Sequence, residues 1–272
     1  MANQTKSART ETAAKDEASI YVYDTENSPN IITAWGVFEQ NALEVIKPRQ
    51  IITVSWKWLG KVPKGEKAMG AVSLPDFPMY RKDRDNNIEL MRLIHRHMEK
   101  ADIVCGHNAG AFDDRRVNTD LIKHGFPPPP PHKVVDTLKI ARKHFGFNQN
   151  SLKALAEFLG LPHKIETGGY SLWKGCMAGD MKSWRKMTRY CAGDVVTLEA
   201  LYMKLRPWVQ NHPATKPREE SNTNPPCPMC HERKLESRGY SISRKGKVPK
   251  AQCRACGHWP PIVWMRRAWR VK

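Results

Sequence analysis

Residues 20–27 read IYVYDTEN, a short run of β-branched and aromatic residues that ends in Asp24 and Glu26. Side chains two apart share one face of a strand, so both carboxylates can project together from its end. Asn27-Ser28-Pro29-Asn30 then spells a turn. Beyond it, IITAWGVFE (31–39) and QIITVSWKWLG (50–60) predict two further strands. The second alternates through Ile52, Val54, Trp56 and Trp58, a pattern of core aromatics, with base stacking by the two tryptophans as the alternative. Three consecutive strands are thus expected to open the fold.

Further along, NIELMRLIHRHMEK (87–100) repeats apolar residues at helical spacing and leads into a short strand, DIVCG. A second helix is predicted from Asp113 to His124, stopping at Gly125, and the five prolines Pro127 to Pro131 exclude both helix and central strand. KVVD reads as a strand, TLKIARKHFG as a helix closed by Gly146, and Ser151 as the N-cap of SLKALAEFLG, closed by Gly160. Residues 180–205 have helical patterning with a break expected near Gly193. The order places the chain in the α/β class, with helices concentrated late. Residues 1–18 are polar and expected to be a disordered leader, 19–208 form the main domain, 209–226 a Pro-rich linker and 227–272 a separate module.

The 272 residues carry 45 Lys+Arg against 27 Asp+Glu, a net +18 that points to a polyanionic partner, nucleic acid above all. No run approaches the roughly 18 apolar residues of a membrane span, and the N-terminus lacks the apolar centre of a signal peptide. A soluble, cytoplasmic protein with no membrane partner is the expectation. In GKVPKGEK (60–67), Glu66 stands where a phosphate-binding loop needs Lys, which removes that motif.

Two more acidic sites join the first. In DIVCGHNAGAFDD (102–114) a strand and a glycine-containing loop lead into a helix that can aim Asp113 inward; capping of the helix start by Asp113 or Asp114 is the structural alternative. In YCAGDVVTLEALY (190–202), Tyr190 and Asp194 are four apart and share a helix face.

Together these sites resemble the DEDD (DnaQ-like) 3′→5′ exonuclease family. Asp24-x-Glu26 is similar to its first motif, His107-Asn108-x-x-x-Phe112-Asp113 to its second and Tyr190-x-x-x-Asp194 to its third, in the family's order over residues 19–207. DTENSPN, ADIVCGHN, VVDTLKIAR and YCAGDV look like phage and bacterial members related to B-family polymerase proofreading domains. The resemblance implies a ribonuclease H-like mixed sheet flanked by helices and a two-metal-ion mechanism with two Mg²⁺ or Mn²⁺. It also implies Asp24, Glu26, Asp113 and Asp194 as ligands and Tyr190 as the residue orienting the attacking water. That is the tyrosine subtype, since Arg189 occupies the position of the histidine subtype's base. Clustered carboxylates repel one another, a cost that divalent cations offset. Asn108 is a candidate nucleic-acid contact, and Asp136 stands at a strand end beside the site.

Near the C-terminus, Cys227-Pro-Met-Cys230 and Cys253-Arg-Ala-Cys256 are separated by 22 residues, the pattern of a small four-cysteine ribbon holding one structural Zn²⁺. His231 and His258 flank the cysteines as alternative ligands. Residues 211–272 hold 14 Lys+Arg and 4 Asp+Glu, which is +10 of the total +18. Arg266, Arg267, Trp269 and Arg270 mix charge with an aromatic ring and are candidate nucleic-acid contacts. The functional expectation is a metal-dependent exonuclease acting from the 3′ end of DNA, its proofreading or repair partners supplied in trans. The rival readings are an RNA exonuclease of the ribonuclease D type and a catalytically inactive nucleic-acid-binding protein.

Overall fold

The computed structural model describes residues 17–38, 41–109, 113–162, 168–209, 212–213, 215, 225–243 and 246–260. Its centre is a five-stranded sheet of order β5-β4-β1-β6-β7, formed by β1 (Ser19–Asn27), β4 (Ile51–Gly60), β5 (Met69–Ser73), β6 (Ile103–Gly106) and β7 (Lys133–Asp136). β4 and β5 run antiparallel to their neighbours, while β6 lies parallel to β1 and β7 parallel to β6. The sheet is therefore mixed, with β1 in the middle.

The expected second strand does not join this sheet. β2 (Ile31–Thr33) and β3 (Glu44–Lys47) pair only with each other. The antiparallel edge of β1 is already filled by β4 from Ser19↔Gly60 onward, so the segment between them is looped out as a hairpin. Its base is fastened by Ser28 N donating to Gln50 O at 2.8 Å and Arg49 N donating to Asn30 Oδ1 at 2.6 Å. Its tip exposes Trp35, Val37 and Phe38.

The helices are α1 (Met79–Lys82), α2 (Ile88–Lys100), α3 (Asp113–Lys123), α4 (Thr137–His144), α5 (Leu152–Leu159), α6 (Tyr170–Met177) and α7 (Met181–Leu205). Side-chain alternation along β1 divides the interior. Tyr21 and Tyr23, with Val54, Trp56 and Trp58 of β4, join the core packed by α2, α3, α6 and the first half of α7, whereas Ile20 and Val22 join the one packed by α4, α5 and the second half of α7. Ser151 caps α5 through its hydroxyl and Gly160 ends it at φ +63°, as the sequence indicates. The break expected near Gly193 is absent: α7 runs unbroken for 25 residues, because buried contacts before and after that glycine outweigh its poor propensity. Strands β3 and β5 and helices α1 and α6 are not among the elements expected from the sequence. No helix among the described residues is long and apolar enough to cross a membrane. Residues 1–16 and most of 209–226, the expected leader and linker, lie outside the described residues.

Glu66, which excluded a phosphate-binding loop, instead joins loop to helix. It accepts from Arg96 and Lys100 of α2 and lies 3.0 Å from His97 Nε2. His97 is wholly buried among Tyr21, Trp56 and Trp58. Burial pulls its pKa from 6.5 down to about 4, against the opposing pull of Glu66. The unfolded chain therefore takes up this proton near pH 6.5 and the folded chain only near pH 4. The stabilisation is complete above pH 6.5 and is lost as pH falls through that window, by about 3 kcal/mol in all. Urea midpoints measured from pH 7.5 to 4 should fall for the wild type, and His97→Gln should lose its share of that slope.

Candidate active site and metal centres

Because Ile20 and Val22 of β1 face α7, alternation places Asp24 and Glu26 on the same side, at the carboxyl end of the strand. Helix α7 crosses there and contributes Tyr190 and Asp194, one turn apart and both buried. Carboxylate oxygens of Asp24, Glu26 and Asp194 come within 4.8 Å of one another. Residues 170 positions apart in sequence are thereby gathered into one acidic group.

The floor of this group is polar but uncharged. Cys191 Sγ lies 3.5 Å from the Asp24 carbonyl oxygen and 3.7 Å from Asp24 Oδ2. Ser55 of β4 donates its hydroxyl to the Cys191 carbonyl at 2.6 Å. Burial, then the charges of Asp24 and Glu26, push the Cys191 thiol well above its ordinary range. It therefore stays protonated and adds no further negative charge beneath the carboxylates. To one side, Trp173 of α6 donates Nε1 to Asn27 O at 3.0 Å and meets the Tyr190 ring edge-on at 6.4 Å. Ser55, Trp173 and Cys191 were not singled out by the sequence reading as parts of the site; period-two alternation through Thr53 and Ser55 is the one signal that could have indicated Ser55.

Asp113 is placed differently. It begins α3, is buried, and its Oδ1 accepts from Thr25 Oγ1 at 2.7 Å. Thr25 faces away from Asp24 and Glu26 by alternation, and Asp113 is not part of the three-carboxylate group. Burial raises its carboxyl to about 6, helped by the charge of Asp114 and opposed by the Thr25 hydrogen bond. Asp114 in turn accepts from Tyr23 Oη at 2.8 Å.

The loop before α3 is braced by its polar residues. His107 bridges Thr137 Oγ1 and Asn150 O, each at 2.9 Å. Asn108 adopts a left-handed backbone, φ +66°, and donates its N–H to Asp136 Oδ1 at 2.9 Å. That same oxygen caps α4 through Leu138 N and Lys139 N, so Asp136 ties the loop to the helix start. Phe112 lies outside the described residues.

The second centre has two matching halves. Cys227, Cys230, Cys253 and Cys256 bring their sulfurs together within 4.8 Å. In the first half His231 N donates to Cys227 O at 2.9 Å and Cys227 N to Glu232 O at 2.9 Å. In the second Gly257 N donates to Cys253 O at 2.8 Å and Cys253 N to His258 O at 2.9 Å. The residue after each second cysteine is left-handed, His231 at φ +63° and Gly257 at φ +76°. β8 (Leu235–Ser243) and β9 (Gly246–Cys253) form the hairpin between the two turns, so the four-cysteine cluster fits a zinc ribbon. The flanking histidines turn elsewhere: His231 Nε2 meets Thr215 Oγ1 at 3.0 Å and His258 Nδ1 meets Pro207 O at 2.7 Å. Arg266, Arg267, Trp269 and Arg270 lie outside the described residues.

The RNase_H superfamily profile matches residues 72–206. Among solved structures the chain is similar to the family B DNA polymerase from the hyperthermophilic archaeon Pyrobaculum calidifontis. Sequence identity is 15% and the TM-score 0.51, over 70% of this chain and 25% of that one. The chain thus spans a quarter of that polymerase's length. No curated protein matches the sequence. The mixed sheet flanked by helices is an RNase H-like fold.

Four converging thiolates should bind one tetrahedral metal per chain. Adding Co²⁺ to chelator-stripped protein should develop thiolate-to-metal absorption that saturates at about one equivalent. Cys256→Ser should weaken or abolish that signal, whereas His258→Ala should retain it.

Proposed function

With an RNase H-like fold as its frame, we propose that the chain is a metal-dependent 3′→5′ exonuclease that hydrolyses phosphodiester bonds from the 3′ end of DNA. The observation that carries this reading is the meeting of Asp24, Glu26 and Asp194 within 4.8 Å beside Tyr190.

The donor set fits the metals this chemistry uses. Three carboxylates offer only hard oxygen ligands, which suit Mg²⁺ or Mn²⁺, and four thiolates suit Zn²⁺. A pair of divalent cations supplies charge neutralisation and Lewis acidity at the scissile phosphodiester. Asp24, Glu26 and Asp194 would hold them. Asp113, at the start of α3 and outside the three-carboxylate group, is the fourth carboxylate of this reading and would turn from Thr25 to reach a cation. The Tyr190 hydroxyl, fixed by the helix and by Trp173, orients the attacking water. The buried Cys191 thiol keeps the Asp24 carboxylate in position from below. The four cysteines hold zinc as a structural ion, which stabilises a module too small to build a core, by on the order of 10 kcal/mol. The ribbon's basic residues, Arg266, Arg267 and Arg270 with Trp269, act as a clamp on the substrate.

The test is digestion of 3′- and 5′-labelled single-stranded DNA, recessed duplex DNA and RNA with Mg²⁺ or Mn²⁺. A 5′ label should yield a ladder that shortens from the 3′ end, while a 3′ label should be released as mononucleotide at once. Tyr190→Phe should lower kcat on the order of 10²-fold and Asp194→Asn should lower it further. Faster cleavage of RNA would assign the ribonuclease D type of activity. Intact strands under every condition would leave a nucleic-acid-binding protein without catalysis.

A further inference from the structure

Between the free edge of the sheet and the first half of α7 runs a groove of about 730 Å³. It is lined by Ala71 and Val72 of β5, by Asp76, and by Arg185, Thr188 and Arg189 of α7. The two arginines are four residues apart, so they leave one face of the helix about 6 Å apart along its axis. That separation is close to the distance between neighbouring phosphates on one nucleic-acid strand. Both arginines are exposed. Asp76, the carboxylate in this lining, is occupied by its own turn, accepting from Ser73 N at 2.8 Å. The groove is thus cationic, and its remaining walls are small side chains and a hydroxyl.

Its position relative to the acidic group is fixed by hydrogen bonds. Asp24 pairs with Ser55 across β4, and Ser55 pairs with Ala71 across β5. Ala71 therefore lies two strands, about 10 Å, from Asp24 on the same face of the sheet. The helix wall is pinned to the strand by a hydroxyl chain, Thr53 to Ser73 at 2.8 Å and Ser73 to Thr188 at 2.7 Å. Arg189 immediately precedes Tyr190, so the groove opens beside the proposed reaction centre.

We infer that this groove is the track of the substrate strand's backbone, with Arg185 and Arg189 each engaging one phosphate upstream of the end held at Asp24, Glu26 and Asp194. Guanidinium forks suit phosphate oxygens, and neighbouring phosphates can each receive one fork. Contacts of this kind hold a strand in register without reading its sequence. The identity of the bound strand as substrate rests on the exonuclease reading; the anion site itself does not.

Binding of a labelled single-stranded oligonucleotide is measured over a salt series in the full-length Asp194→Asn protein, so that no strand is cut. Adding Arg185→Gln and Arg189→Gln should weaken binding several-fold at low salt. It should also flatten the plot of log K against log salt by about 1.4, from about 0.7 per lost phosphate contact. Lys153→Gln, an exposed cation on α5, should leave the slope as it was. An unchanged slope in the double-arginine variant, or no binding by the parent protein, overturns the groove. If the slope falls while the wild-type protein degrades no nucleic acid, the groove stands and the exonuclease reading fails.

Discussion

β1 is hydrogen-bonded along both edges, to β4 on one side and β6 on the other, and is packed on both faces. The β6 pairing ends at Val22, so Asp24 and Glu26 at the strand end are held by β4 alone, opposite Ser55 and Thr53. α7 then brings Asp194 into the same few ångströms. Such an arrangement is costly for a protein without a cation, since three negative groups are brought close together. The surroundings lessen that cost in a particular way. Below Asp24 lies the protonated Cys191 thiol, whose backbone carbonyl accepts from the Ser55 hydroxyl.

The parts of the fold that could be read from sequence are those whose signal is local. The strand end at Asp24, the caps at Ser151 and Gly160 and the two cysteine turns each depend on a few adjacent residues. The parts that could not be read depend on pairing across the chain. Nothing within IITAWGVFE says that β1's free edge is taken by residues 51–60, which turns a plausible sheet strand into a projecting hairpin. Gly193 is a poor helix residue by propensity, yet packing along the face of α7 carries the helix through it. Asp113 shows the same limit within the candidate site. Its place at a helix start is legible, but its bond to Thr25 depends on the facing of a strand 88 residues earlier.

The ribbon adds a second long-range element. Arg206, which follows α7 directly, donates to Met229 O at 2.7 Å and contacts Met229 Sδ at 3.0 Å, while His258 meets Pro207 O. The two histidines next to the cysteines are thus used to seat the four-cysteine unit against the helix end and Thr215. That use explains why neither ring turns to the sulfurs, although both lie next to them in sequence.

Helix α7 links all of these parts. Arg185, Arg189, Tyr190, Asp194 and, just past its end, Arg206 occupy one rigid rod, each at an azimuth set by its position in the count. Adding or deleting a single residue anywhere between Arg185 and Arg206 would rotate everything on one side of the change by about 100° relative to the other. Substitutions along the rod are local events, but a change of length between Asp194 and Arg206 would turn the ribbon away from groove and carboxylates together, and one between Arg189 and Tyr190 would part the groove from the carboxylates. Residues 181–205 behave as a ruler whose number of residues sets the relative bearing of everything fixed to it.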